Sequence, residues 1–127
     1  MQNCQISITT VVDGNETQFS TKGRMESLPL GARLTYTEKN AVVGLEINGN
    51  QAKIVRTGDY TLALTLKHGE SANGSIGIGG SSGEISTYTH KLAYSAQETS
   101  LLVSLVYDLT IGGEKQEMRL RIYAKAI

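Results

Sequence analysis

A chain of 127 residues with twelve basic and twelve acidic side chains and one cysteine fits a single domain, long enough to bury roughly two thirds of its unfolded surface in one core. This composition excludes an internal disulfide, and with no net charge the chain has no field to steer nucleic acid or an anionic membrane toward it. The start "MQNCQISITTVV" has no basic region, apolar core or cleavage site of a secretion signal, and no apolar run is long enough to span a bilayer, so the expected setting is the cytoplasm.

Short segments of alternating apolar and polar residues follow one another, divided by clusters of Gly, Asn, Asp and Ser, which is the pattern of antiparallel strands joined by hairpins. Ile6, Ile8, Thr10 and Val12 share the first inward face, Asp13-Gly14-Asn15 supplies a turn, and a return strand points Phe19 inward. Met25 to Ala32 holds the one proline, Pro29, and reads as an irregular connection or an edge. Leu34, Tyr36 and Glu38 then share a face. A strand over 42–47 turns at Asn48-Gly49-Asn50 into a row of Ala52, Ile54 and Arg56, and Leu62, Leu64 and Leu66 give the clearest period of two.

The glycine-rich stretch "NGSIGIGGSSGEIS" (73–86) invites a phosphate-loop reading that its spacing refuses. Counting from Gly77 and Gly79, the third glycine of a dinucleotide loop falls on Ser82; counting from Gly74 and Gly79, the lysine of a P-loop falls on Gly80. Both motifs also need a following helix, and "EISTYTHKL" is rich in β-formers. The stretch is expected to be a hairpin loop around Gly79 to Gly83, with Gly77 and Gly79 marking a bend or a close backbone approach. The segment from Glu84 to Ile111 is free of Gly and Pro and admits a helix, but Leu101, Val103, Leu105, Tyr107, Leu109 and Ile111 alternate over eleven residues, which predicts two strands. After Gly112-Gly113, Met118, Leu120, Ile122 and Ala124 form the last inward row.

With eight to ten strands and no linker or repeat, the expected fold is all-β: one domain over 1–127, an antiparallel, mostly up-and-down closed barrel. Closure removes the exposed edges that invite aggregation.

Few residues suggest chemistry. Two histidines, His68 and His90, stand without metal-ligand spacing and read as solvated surface, and no cofactor or metal is expected. Cys4 lies near a terminus expected to fray. A GxSxG elbow is absent, and Asn15-Glu16-Thr17 and Asn73-Gly74-Ser75 match the glycosylation tripeptide in turn-like sequence where chance accounts for them. Arg119, Arg121, Tyr123 and Lys125 share one face of the last strand, a pattern that can bind single-stranded nucleic acid; Glu117 on the same face and the zero net charge favour an ordinary wet outer wall.

The informative polar residues are those on apolar faces. Glu38 and Arg56 are predicted to point into the barrel, paired with each other, with Tyr36 or Tyr107 hydrogen-bonding nearby, because an unpaired charge there is costly. Tyr36, Glu38, Arg56 and Tyr107 are therefore the candidate ligand-binding residues, either orienting the polar end of a ligand or plugging one end of the barrel.

The motifs "FSTKG" (19–23), "LTYTE" (34–38), "KIVRTG" (53–58), "GEISTYT" (83–89) and "VYDL" (106–109), in this order over nearly the whole chain, resemble the YwiB-like family of small uncharacterised bacterial proteins. The resemblance implies a calycin-type, lipocalin-like β-barrel and a cytoplasmic bacterial protein, with no activity or site residue to carry over. The chain departs from the family pattern at "IGIGGSS" (76–82), where an aromatic near a threonine is expected. The leading reading is a non-catalytic barrel that binds an apolar or amphipathic small molecule. The alternatives are a filled barrel acting as a protein-interaction or homodimerisation module, and an enzyme whose site the sequence does not display.

Overall fold

The computed structural model describes residues 2–127. Ten strands follow in order: β1 (Gln2–Val12), β2 (Asn15–Leu28), β3 (Gly31–Glu38), β4 (Ala41–Asn48), β5 (Gln51–Thr57), β6 (Tyr60–Lys67), β7 (Ser71–Ile78), β8 (Ser81–Ala96), β9 (Ser100–Ile111) and β10 (Glu114–Ala126). Each pairs antiparallel with the next, and β10 pairs with β1 to close the barrel. The connections are two or three residues long, which confines the chain to nearest-neighbour hairpins and gives the up-and-down order. At Asp13-Gly14, Gly79-Gly80 and Gly112-Gly113 both central residues have positive φ, the type I′ geometry whose twist matches that of the flanking strands.

Alternation places one face of every strand inside. Ile6, Leu34, Leu45, Ile47, Leu66, Leu101, Val103, Leu105 and Ile122 are essentially inaccessible to water, while Arg119, Arg121, Tyr123 and Lys125 all face outward and are exposed. The stretch that admitted a helix is β8 and β9, paired from Ile85↔Ile111 to Ala96↔Leu101 with one bulge at His90.

Three local expectations need correction. Met25 to Ala32 is no irregular segment: β2 runs through Leu28, Pro29 and Leu30 make the turn, and β3 starts at Gly31, so the proline occupies a turn position where no ladder donor is lost. Cys4 does not fray, because it lies between Ala126 of β10 and Gly23 of β2 and is wholly buried. The glycine-rich loop is tighter than expected, with Gly79-Gly80 alone forming the turn and Ser81 to Gly83 already in β8.

The glycines upstream of that turn mark a close approach. β6 pairs with β7 only from Tyr60↔Ile78 to Ala63↔Ser75. Beyond it β6 leans toward β8, where the Thr87 hydroxyl donates to the Thr65 carbonyl at 2.9 Å. A Cβ on Gly74 would lie 2.2 Å from the Ala63 carbonyl oxygen, and one on Gly77 would lie 2.6 Å from the Thr61 hydroxyl. A side chain at Gly74 would force the backbones apart where the strands separate.

Candidate functional site

The barrel is packed at one end and hollow at the other. The hollow end carries the β1–β2, β3–β4, β5–β6, β7–β8 and β9–β10 turns, and beneath them lies a cavity of about 210 Å³. Its wall is mainly apolar, including Ile8, Phe19, Val43, Ile54, Leu62 and Leu120, and its polar groups come from Tyr36, Glu38, Arg56, Tyr107, Thr10 and Thr17. All four residues proposed from the sequence line this one cavity.

Pairing register explains the convergence. Tyr36 of β3 lies opposite Val43 of β4, Val43 opposite Arg56 of β5, and Arg56 opposite Leu62 of β6, so a single cross-strand row crosses this wall. Glu38, two residues beyond Tyr36, points to the same face nearer the rim. Tyr107 enters from the inward row of β9, opposite Met118 of β10. Gly23, opposite Tyr36 on β2, permits a close approach of β2 and β3: a Cβ there would run into the Thr35 carbonyl oxygen and meet Ile6 Cδ1 at 2.6 Å and Tyr36 Cβ at 3.0 Å.

The expected pair of Glu38 with Arg56 does not form. Arg56 reaches across its own turn instead, with Nη1 3.0 Å from Asp59 Oδ1 and 3.2 Å from the Tyr60 carbonyl oxygen. Its guanidinium also stacks on the Tyr60 ring at 3.9 Å from the centroid. A contact within "RTGDY" (56–60) requires no closure of the barrel and holds the guanidinium by an ion pair, a backbone acceptor and a ring face at once. The hydrogen bond from Arg56 lowers the pKa of Asp59. This local signal is present in the sequence, but matching faces between distant strands does not use it; Thr10, Leu62 and Leu120 lie on faces that alternation already points inward, and Thr17 is the lining residue that it does not single out.

Both cavity tyrosines are nearly buried, Tyr36 at 7% and Tyr107 at 4% exposure. Loss of hydration pushes each phenol up to about 12, with the charge of Glu38 adding to the effect at Tyr36. At neutral pH both are uncharged O–H groups able to donate into the cavity. The lining thus offers two phenols, one carboxylate and one tethered guanidinium on an apolar wall, an arrangement suited to orienting a bound molecule.

Both histidines lie elsewhere. His68 sits in the β6–β7 connection at the packed end and accepts a hydrogen bond from the Leu92 amide through Nδ1 at 3.3 Å. His90 is exposed on the outer wall, 2.8 Å from Asp108 and edge-on to Tyr88. Burial raises the pKa of the Cys4 thiol, which disfavours the reactive thiolate. No group of side chains among the described residues could hold a metal ion, and no described helix is long and apolar enough to cross a membrane. Two larger concavities, about 480 and 490 Å³, lie beside Lys91, Ser104 and Arg121 on the outer wall.

Among solved structures, the chain is similar to the YwiB protein from Bacillus subtilis, with a TM-score of 0.86 at 16% sequence identity over 99% of this chain and 92% of that one. At that identity the likeness establishes a shared barrel fold. No curated protein sequence matches the chain. A family model does match, over residues 4–122, from the buried Cys4 of β1 to the buried Ile122 of β10 and hence across every strand of the barrel; the chain belongs to the family described as Domain of unknown function (DUF1934).

Proposed function

We propose that this barrel is a non-catalytic carrier or sensor that takes a small amphipathic molecule into its hollow end. The observation that carries the reading is the convergence of Tyr36, Glu38, Arg56 and Tyr107 on one cavity whose remaining wall is mainly apolar. Barrels of this size either fill their interior or hold one small ligand, and this one fills only its far half. At about 210 Å³ the cavity is smaller than the 300–1,000 Å³ typical of drug-sized sites, so its ligand is small or inserts only part of its length. The outward faces bear Arg24, Arg33, Lys53, Arg119 and Arg121, the reverse of the apolar band of a membrane-spanning barrel, which supports a barrel that works in water.

Native mass spectrometry of protein purified from bacterial cells, beside a denatured sample of the same preparation, tests the reading. A non-covalent adduct that disappears on denaturation, and that Thr10→Phe abolishes by filling the cavity while leaving the fold intact, is the expected result. A bare chain under native conditions overturns it. A second reading, an interaction module, draws on Val42 and Val55, each about half exposed on neighbouring strands, with Gly44 facing Val55 across the ladder and leaving a shallow dent. A dimer in sedimentation velocity that Val55→Lys dissociates would favour it.

A further inference from the structure

The hollow end contains an acid with no cation assigned to it. Glu38 lines the cavity partly buried, and among the described residues it has neither an ion pair nor a side-chain hydrogen bond; the arginine that shares its cavity is held by Asp59, the Tyr60 carbonyl and the Tyr60 ring. Of the two charged residues in the cavity lining, Arg56 is paired with Asp59 and Glu38 is the one without an ion pair among the described residues. The lining also holds three aromatic rings, those of Phe19, Tyr36 and Tyr107, a side-chain type whose electron-rich faces attract cations.

We infer that the ligand is a small organic cation, an alkylammonium whose charge pairs with Glu38 and whose short apolar body lies against Ile8, Ile54, Leu62 and Leu120. The inference rests on the binding reading above and names the class of ligand. A carboxylate head would instead meet the charge of Glu38, with the charge of Arg56 already offset. Size is consistent with a short chain: at about 30 Å³ for each water-sized group, the cavity of about 210 Å³ accommodates about seven non-hydrogen atoms, the size of hexylammonium. The phenols of Tyr36 and Tyr107 are the groups placed to hydrogen-bond a second polar atom of a natural ligand.

Titration of the intact chain with hexylammonium, hexanol and hexanoate at neutral pH, followed by amide chemical shifts, tests the inference. Hexylammonium is expected to bind at least about tenfold more tightly than hexanol, a charge-pair contribution of about 1.4 kcal/mol, with hexanoate weakest of the three. Its affinity should fall as salt is added, a readout that needs no variant. Glu38→Gln should bring hexylammonium down to the level of hexanol without moving the melting temperature. Equal or tighter binding of hexanol or hexanoate overturns the cation while leaving the binding barrel standing, and so does an affinity for hexylammonium that Glu38→Gln leaves unchanged. If none of the three shifts a resonance the cation inference fails, and the native mass spectrum then judges the binding reading separately.

Discussion

The two ends of the barrel are made from the same ten strands and differ in what their inward positions carry. At the packed end, small residues (Cys4, Ala32, Ala52, Ala124) sit among large ones (Ile6, Leu34, Ile47, Leu66, Leu101), and all are buried; mixing sizes in this way lets a tapering interior fill. Its turns are also tied together, since the Leu30 carbonyl accepts both the Gly49 amide at 2.9 Å and the Tyr94 hydroxyl at 2.8 Å. At the hollow end the inward row changes to Thr10, Tyr36, Glu38, Arg56 and Tyr107, whose polar tips need hydration or a partner. Close packing therefore belongs to one end, and the proposed binding to the other.

Alkaline pH should strike the hollow end first and produce the largest effect. An exposed phenol in the unfolded chain titrates near 10, whereas Tyr36 and Tyr107 titrate at about 12 in the fold. Between those values the unfolded chain releases protons that the folded chain retains, so their contribution is complete below pH 10 and lost as pH rises through about 12. At 1.36 kcal/mol per pKa unit this amounts to on the order of 3 kcal/mol for each phenol. Denaturant midpoints measured across this range should fall steeply, and the double variant Tyr36→Phe, Tyr107→Phe should flatten the fall. An unchanged profile would mean that the two rings are not sequestered.

Truncation should separate the ends next. Leu66 at the packed end is wholly buried, and Leu66→Ala should cost about 3 kcal/mol, the lost transfer energy plus a new void. Leu62→Ala removes the same atoms beside a cavity that already exists, from a residue only partly buried, and should cost about half as much. Equal losses in the denaturant midpoint would show that the hollow end is as tightly packed as the other. Gly74→Ala probes the place where β6 leaves β7: its new Cβ meets the Ala63 carbonyl, an overpacking worth about 2 kcal/mol, read in the same experiment.

The wall of the barrel was far more legible than its contents. Alternation in Leu62, Leu64 and Leu66 or in Leu101 through Leu109 is a local property of the backbone, and it located the strands, their inward faces and the meander order. The same alternation put Tyr36, Glu38, Arg56 and Tyr107 inside, and the register of β3, β4 and β5 gathered them. Partners within that set were not legible, because facing inward fixes a direction and not a distance, and Arg56 found Asp59 three residues away. Cys4 was misplaced for a related reason: its burial comes from β10, more than a hundred residues distant in sequence, and a closing strand leaves no local trace.

The smallest expected effect bears most directly on the difference between the ends. A charge inside the packed end would have to be paired, and breaking such a pair typically costs 3–5 kcal/mol. Glu38 has no such partner at the hollow end and lies near the rim, so Glu38→Gln should change stability by less than about 0.5 kcal/mol. Arg56→Met removes a guanidinium that is anchored to an exposed carboxylate and a ring of its own turn, and it too should leave the denaturant midpoint nearly in place. A residue that a fold does not need for stability, yet holds over an apolar cavity, is available for binding. If Glu38→Gln instead lowered the stability by several kcal/mol, the carboxylate would be a structural plug, and the hollow end would be a second packed end with a polar lid.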